Sequence, residues 1–217
     1  MDIIELQNAI GTKVDGIWGP ESRDALLNAF TNPSVAAVSA EKIDEYAQRL
    51  GVSAKQVRAV AQVESSGGAF DGKGRPKILF ERHKFHKYTG GKWSVCAFSN
   101  PKGGGYNESS WDKLNGAIIT NAVDAAFMSC SWGKFQVLGE WWDELDYPSP
   151  FAMAHSTTVS EAGHYDMLCR YIEHFKLQDE MKALSTDANK CVAFASAYNG
   201  AGFKKFEYHT KLAKAMA

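Results

Sequence analysis

Hydrophobic residues recur at helical spacing through most of the chain, and capping residues bound several of these stretches. One helix is predicted from Ser39 to Leu50, with Gly51 as its C-terminal glycine, and another begins at Ser53, which forms a capping-box pattern with Gln56. Helices with the same periodicity are predicted to open at Asn121, Thr158 and Asp187 and to cover the tail from 204 to 217. The pattern therefore predicts a mainly helical protein.

One short stretch breaks the helical pattern. Residues 77–82 read Lys-Ile-Leu-Phe-Glu-Arg and follow a segment rich in glycine and proline, so they are predicted to form a strand that carries Glu81. No partner strand is evident from the pattern. The predicted fold class is α+β, mainly α, with a minor sheet element after the helix that opens at Ser53.

A carboxylate occupies the hydrophobic face of that helix. The face is marked by Val57, Val60 and Ala61, and Glu64 is the next position on it, while glycines at 67 and 68 end the helix. Burial and the negative end of the helix dipole both favour the protonated carboxyl. A carboxyl kept protonated near neutral pH suits a general acid for glycoside cleavage. On helix position alone, a glutamate that frays into solvent is an equal alternative.

Composition limits the function classes. The 217 residues are 45% hydrophobic and 23% charged, which is typical of a globular protein, and the net charge of −1 gives no general reason to bind nucleic acid. The N-terminus has neither the basic region nor the apolar run of a signal peptide or membrane span. Four cysteines are scattered without a CxxC pair, so they are interpreted as reduced thiols, with Cys169 and Cys191 buried.

The first residues form a unit of their own, which supports a division into residues 1–34 and residues 35–217. Leu6-Gln7, the turn residues of Asp15-Gly16-Ile17-Trp18-Gly19-Pro20, and the apolar stretch from Ala25 to Phe30 follow one another. This pattern resembles part of a peptidoglycan-binding module. The alternative is a helical hairpin that only packs on the main domain.

Three short motifs occur in order: Val63-Glu64-Ser65-Ser66-Gly67, Ser131-Trp132-Gly133-Lys134-Phe135-Gln136-Val137 and Ala197-Tyr198-Asn199-Gly200. Their order resembles the lysozyme-like superfamily of goose-type lysozymes and lytic transglycosylases. A fuller resemblance, which adds the stretch GRPKILFERHKFH, is to the phage-type N-acetylmuramidase (endolysin) family and extends from about residue 40 to the C-terminus. The resemblance implies a lysozyme-like helical domain with a small β element.

The resemblance also implies roles for individual residues. Glu64 would protonate the glycosidic oxygen between N-acetylmuramic acid and N-acetylglucosamine, and Ser65, Gln136, Tyr198 and Asn199 would bind the substrate. The Gln136 amide can donate and accept hydrogen bonds at once, which suits a sugar cleft. Tyr198 can alternatively belong to the core with only its hydroxyl near the cleft, and Asn199 can be a simple helix C-terminal signal.

A second carboxylate distinguishes two mechanisms. Hydrolysis needs a base or nucleophile on the opposite face of the sugar, whereas a lytic transglycosylase, which forms 1,6-anhydromuramic ends, can do without one. Glu81 is the candidate for this catalytic role, although Arg82 and His83 are close enough in sequence to make it a structural ion-pair partner. Both interpretations remain open.

Two further functions rank lower. A zinc-dependent wall peptidase is suggested by His83 and His86 near Glu81, but no HExxH motif is present. A non-catalytic wall-binding protein would use tryptophans as sugar platforms. The expected partner is therefore bacterial peptidoglycan, bound by a monomer without metal or other cofactor, nucleic acid or membrane. Basic residues between Lys73 and Lys92, such as Lys84, are expected to meet carboxylates of the glycan or to be a solvated face.

The absence of an export signal bears on location. An endolysin-like protein is expected to remain in the host cytoplasm until the membrane is permeabilised and then to act in the periplasm on the cell wall.

Overall fold

Two units divide the chain, and each is built from two separate stretches. The computed structural model describes residues 1–65 and 68–217. Unit 1 comprises Met1–Val35 and Phe70–Val159, and unit 2 comprises Ala36–Ala69 and Ser160–Ala217. The separation of residues 1–34 from residues 35–217 as two domains stays a prediction.

Helices account for most of the secondary structure. In chain order they are α1 (Ile3–Ala9), α2 (Pro20–Ala29), α3 (Ala40–Leu50), α4 (Ala54–Glu64), α5 (Arg82–Tyr88), α6 (Ser110–Ile118), α7 (Val123–Met128), α8 (Pro150–Val159), α9 (Glu161–His174), α10 (Gln178–Lys182), α11 (Val192–Asn199) and α12 (Tyr208–Ala215). Short 3₁₀ helices cover Gly139–Trp141, Ala188–Cys191 and Gly200–Phe203. The strands are β1 (Ile78–Phe80), β2 (Cys130–Trp132) and β3 (Val137–Leu138). The mainly helical α+β prediction is confirmed.

The caps of α3 and α4 lie where the sequence predicts them. The Ser39 hydroxyl accepts the amide of Lys42, and Gly51 ends α3 in the left-handed conformation at φ 68°. In α4, Ser53 and Gln56 form the reciprocal capping box, and the Gln56 amide also donates to the carbonyl of Lys182 at 2.6 Å. Within unit 2, α4 packs against α3 and α12. The capping box therefore fixes the start of α4, and Gln56 also ties the helix to another part of unit 2.

The predicted strand is real but shorter than expected. β1 pairs antiparallel with β2, with Ile78 opposite Trp132, and β2 pairs with β3. The strand ends at the buried Phe80, and Glu81 is the N-cap residue of α5. The placement of Glu81 on the strand was wrong, because its carbonyl accepts the amides of the first turn of α5 instead of pairing with a strand.

Two predicted helix starts were also wrong. Asn121 has a left-handed backbone at φ 61°, its side chain accepts the amide of Ile3, and α7 begins at Val123. Thr158 lies inside α8, and a new helix, α9, begins only after Ser160. In both cases the polar side chain is in a tertiary contact or buried, so sequence spacing alone suggested a cap that the fold does not use.

Aromatic rings fill the core of unit 1, and the N-terminal stretch contributes one of them. Phe30 follows α2 and is fully buried, with 0% of its surface exposed. Its ring centre lies 5.3 Å from that of Trp111, 5.6 Å from that of Trp132 and 5.9 Å from that of Phe151. The N-terminal stretch thus shares a core with residues more than eighty positions away in the sequence.

The N-terminal motif has a structural explanation. The side chain of Gln7 is buried, and its oxygen accepts the amides of Asp15 at 3.1 Å and Gly16 at 2.8 Å. Its nitrogen donates to the Asp15 carboxylate, to the Ile17 carbonyl and to the Ser22 hydroxyl. Gln7 therefore holds the turn after α1 in place. Wall binding by this segment stays a prediction.

Other sequence expectations concern thiols and membrane spans. Cys130, Cys169 and Cys191 are buried, Cys96 is half-buried, and all four are free thiols. Among the described residues, no helix has both the length and the apolar character needed to cross a membrane.

Candidate active site

Glu64 is the last residue of α4, as the sequence predicts. Val57, Val60 and Ala61 on the same face are buried, and Glu64 is half-buried. Ser65 follows as the C-cap, and its amide donates to the carbonyl of Ala61. The remaining residues of this motif, Ser66 and Gly67, lie outside the described residues. The hydrophobic face of α4 therefore ends with the carboxyl of Glu64.

Burial changes the acidity of that carboxyl. Loss of solvent raises the pKa of Glu64 from its usual value near 4.5 to about 7, while a hydrogen bond from Asn199 and the charge of Lys211 act against this shift. Desolvation is the dominant effect. A carboxyl with a pKa near 7 retains its proton in a substantial fraction of molecules at neutral pH, which is the property that general acid chemistry requires.

Asn199 holds the carboxyl in position. It is the last residue of α11, and its Nδ2 donates to Glu64 Oε1 at 3.0 Å. Gly200 follows with φ 66°, a conformation that glycine adopts without strain. Asn199 is therefore both the last residue of α11 and a hydrogen-bond partner of Glu64. Its role in substrate binding stays a prediction.

Tyr198 is half-buried beside the same carboxyl. Its ring stacks on Phe194 at 5.6 Å and meets the edge of Tyr171 at 5.3 Å between ring centres. Burial, with a smaller effect from the charge of Glu64, raises the pKa of the Tyr198 phenol well above its usual value. The hydroxyl therefore stays protonated at neutral pH and can donate a hydrogen bond.

Two residues of α12 interact electrostatically with Glu64, and the sequence analysis did not identify them. Burial and the charge of Glu64 raise the pKa of Tyr208. Lys211, one turn further along, has its Nζ 5.3 Å from the centre of the Tyr208 ring and lowers the pKa of Glu64 by its charge. The spacing of an aromatic and a lysine three positions apart in the tail was the available signal, but it is common in ordinary solvated helices.

Ser65 and Gln136 are already engaged with the backbone. The Ser65 hydroxyl donates to the carbonyl of Ala61. In unit 1, Gln136 lies in the turn between β2 and β3 with a left-handed φ of 51°, and its exposed amide nitrogen donates to the carbonyls of Gly133 at 2.8 Å and Lys77 at 3.3 Å. For both side chains, the oxygen is the atom that can still receive a hydrogen bond from a sugar hydroxyl.

Glu81 belongs to a polar cluster of unit 1. Its Oε2 accepts the hydroxyl of Tyr106 at 3.2 Å and lies 3.4 Å from His83 Nδ1, and 19% of its side chain is exposed. Arg82, the other partner expected from the sequence, donates to the carbonyl of Cys96. The carboxylate is thus partly buried, oriented by one neutral donor and still accessible to water.

The other polar candidates have structural partners. Lys84 Nζ lies 2.6 Å from Glu140 Oε1, and the Tyr88 hydroxyl donates to the same carboxylate, so Lys84 forms an ion pair within unit 1. This pairing weakens the expectation that Lys84 meets glycan carboxylates. In the part of the chain that the structure describes, no group of three or more histidine, cysteine, aspartate or glutamate residues is close enough to hold a metal ion.

Two comparisons with known proteins match the part of the chain that contains these site residues. The family model for N-acetylmuramidase matches residues 53–217, which include every residue discussed for the site. Among solved structures, the crystal structure of the Burkholderia AP3 phage endolysin is similar, with a TM-score of 0.75 and 27% sequence identity over 99% of this chain and 92% of that chain. No curated protein matches the chain.

Proposed function

The chain belongs to the N-acetylmuramidase family and is a glycoside hydrolase that acts on peptidoglycan, and from this we propose that Glu64 is its general acid. Glu64 would protonate the oxygen of the β-1,4 bond between N-acetylmuramic acid and N-acetylglucosamine as that bond breaks. The observation that carries the proposal is the half-buried carboxyl at the end of α4, which the Asn199 amide holds at 3.0 Å and whose pKa burial raises to about 7.

Neighbouring groups would assist this step by position. The Asn199 amide binds Oε1 of Glu64, which leaves Oε2 to carry the proton toward the leaving oxygen. The phenol of Tyr198 remains protonated and can donate to a sugar oxygen or to the carboxylate that forms after proton transfer. In this scheme Asn199 and Tyr198 orient the acid and the sugar, and Ser65 and Gln136 contribute accepting oxygens.

Hydrolysis requires a second group, and we propose Glu81 for it. Its carboxylate is oriented by Tyr106 and retains access to solvent, which suits a base that activates a water molecule. The specific observation that favours a structural role is the contact with His83 at 3.4 Å. The Glu81→Gln enzyme distinguishes the two roles. Replacement of a structural ion-pair partner would lower the stability of the protein more than its rate of hydrolysis.

Product analysis is expected to show reducing N-acetylmuramic acid ends after digestion of purified wall, because water completes the reaction. Mass spectrometry separates these ends from 1,6-anhydro ends, which are lighter by one water molecule. The Glu81→Gln enzyme is expected to lose about 10²-fold or more in kcat, and the Glu108→Gln enzyme, altered at an exposed glutamate of the same unit, serves as its control. Anhydro ends from the unaltered enzyme would contradict hydrolysis, and full activity of Glu81→Gln would remove this residue from the mechanism.

The rate is expected to fall as the pH rises above about 7, because Glu64 must be protonated and its pKa is about 7. The Asn199→Ala enzyme is expected to show this fall at higher pH, since the lost hydrogen bond stabilises the ionised form, and to have about tenfold lower kcat because the acid is no longer oriented. The measurement is kcat/KM against pH on a soluble glycan. An alkaline limb that stays in place in Asn199→Ala, or one that moves equally in the control Asn189→Ala at an exposed asparagine, would contradict this assignment.

We propose that the protein acts in host lysis as a phage endolysin. Similarity to the Burkholderia AP3 phage endolysin supports this biological role. In this proposal the monomeric enzyme accumulates in the host cytoplasm and reaches peptidoglycan in the periplasm after the membrane is permeabilised.

A further inference from the structure

A pocket of unit 2 lies beside the helix that carries Glu64. It has a volume of about 290 Å³ and is lined by Gln62, Val63, Lys211, Lys214 and Ala215. We propose that this lysine pocket binds a carboxylate of the stem peptide that peptidoglycan carries on N-acetylmuramic acid. The inference rests on the proposed function, because it assumes that the glycan reaches Glu64.

The lining of the pocket fits an organic anion. Lys211 and Lys214 are three residues apart on α12, so they project from the same face of the helix, and both are exposed. The other lining residues, Gln62, Val63 and Ala215, are uncharged. Two ammonium groups beside an apolar wall and one amide can bind a carboxylate together with the carbon chain that bears it.

The lysine pocket lies next to the carboxyl that would cleave the glycosidic bond. Gln62 and Val63 directly precede Glu64 on α4, and α12 packs along α4 within the same unit. Lys211 is close enough for its charge to act on Glu64. The peptide is attached to the same sugar whose bond Glu64 would cleave, and an extended peptide gains roughly 3.3 Å per residue. A carboxylate of the first few peptide residues is therefore within reach of the pocket.

The volume of the lysine pocket favours a residue of the stem peptide as its ligand over the sugar chain. A pocket of about 290 Å³ is at the lower end of the range for small ligands, which suits one amino-acid residue better than a row of sugar rings. A stem peptide offers several free carboxylates. The lactyl carboxylate is an amide when the peptide is attached, so it carries a charge only in peptide-free glycan.

Binding at the lysine pocket would also affect the acid. The groups of the described residues that face Glu64 are Asn199 and Tyr198 from α11 and Tyr208 and Lys211 from α12. Lys211 is the cation among them, and it favours the ionised form of Glu64. A bound carboxylate would offset that charge, so substrate with its peptide would leave Glu64 protonated in a larger fraction of molecules at neutral pH than peptide-free substrate would.

Binding is measured in the Glu64→Gln background, so that no substrate is consumed. Isothermal titration uses a disaccharide-peptide fragment of peptidoglycan, the same fragment with its carboxylates amidated, and the peptide-free disaccharide. The Lys211→Met/Lys214→Met protein is expected to bind the unmodified fragment about tenfold more weakly, as two exposed ion pairs would predict. It is also expected to lose discrimination against the amidated fragment. Lys182→Met, at an exposed lysine of α10, is the matched control for charge.

A second readout excludes a merely structural role for Lys211. In an enzyme with Glu64 intact, Lys211→Met is expected to shift the alkaline limb of kcat/KM to higher pH, because the cation that favours the ionised carboxyl is gone. Unchanged affinity for the unmodified fragment would overturn the proposal, and equal weakening toward the peptide-free disaccharide would assign the anion to the lactyl group instead. Full activity of Glu64→Gln would contradict the proposed function while leaving the binding result interpretable.

Discussion

Replacement of Glu64 by glutamine is expected to lower kcat on peptidoglycan by about 10³-fold or more. The glutamine amide keeps the size of the side chain and can still accept the hydrogen bond from Asn199, but it has no proton of suitable acidity to give to the leaving oxygen. Loss of a general acid typically costs about 10² to 10⁴ in rate. The measurement is the release of reducing ends from purified wall at pH 6, where the unaltered carboxyl is mostly protonated.

The same replacement is expected to stabilise the protein at pH 8. The pKa of Glu64 is about 7 in the folded protein and near 4.3 in an unfolded chain, so the folded state increasingly disfavours this carboxyl as the pH rises from about 4 to 7. Above pH 7 the cost is fully present, and after allowance for its partial exposure it is about 2 kcal/mol. Glu64→Gln removes that cost, so its stability relative to the unaltered protein should be greatest above pH 7 and vanish near pH 4.

Denaturant unfolding at pH 4 and pH 8 tests this dependence. Glu108→Gln, at an exposed glutamate, is the control and is expected to change stability little at either pH. Equal lysis by Glu64→Gln and the unaltered enzyme would exclude the catalytic role. An inactive but less stable Glu64→Gln at pH 8 would contradict the desolvated environment, since a solvated carboxylate has no burial cost to lose.

The parts of the site that were predictable from sequence are those fixed by local periodicity. Glu64 follows Val57 and Val60 on one helical face, and the capping box at Ser53 sets where that helix begins. Neither feature depends on distant residues. The contact of Asn199 with Glu64 joins positions 135 residues apart, and spacing along the chain carries no information about it. Resemblance to a family indicated Asn199 only as a substrate-binding residue, so this contact was not anticipated.

The sequence predictions failed where tertiary structure, and not the local sequence pattern, determines the role of a residue. Glu81 was placed on a strand by the apolar run before it, yet the strand ends at Phe80 and Glu81 begins a helix. Asn121 is a residue type that often caps helices, but its side chain accepts the amide of Ile3 instead. Lys211 carried only a weak local signal, its spacing from Tyr208, because its effect on Glu64 arises from the packing of α12 on α4.

Phe30→Ala is expected to destabilise unit 1 by about 3 to 5 kcal/mol, the range for loss of a buried phenylalanine. Phe30 has 0% exposed surface and contacts the rings of Trp111, Trp132 and Phe151. These contacts come from residues far along the chain, so the space left by the ring cannot be filled by a local shift of α2. The free energy of unfolding from urea titration, followed by tryptophan fluorescence, measures the loss.

This result bears on whether residues 1–34 form an independent domain. If they did, Phe30→Ala would change only their own unfolding and leave the environment of Trp111 and Trp132 intact. A shared core instead predicts that both tryptophans become exposed at lower urea concentration in the same transition. Phe206→Ala, which removes a ring that is 54% exposed, is the matched control and should cost well under the loss at Phe30. A loss below about 1 kcal/mol at Phe30 would mean that the N-terminal stretch is not part of the core of unit 1.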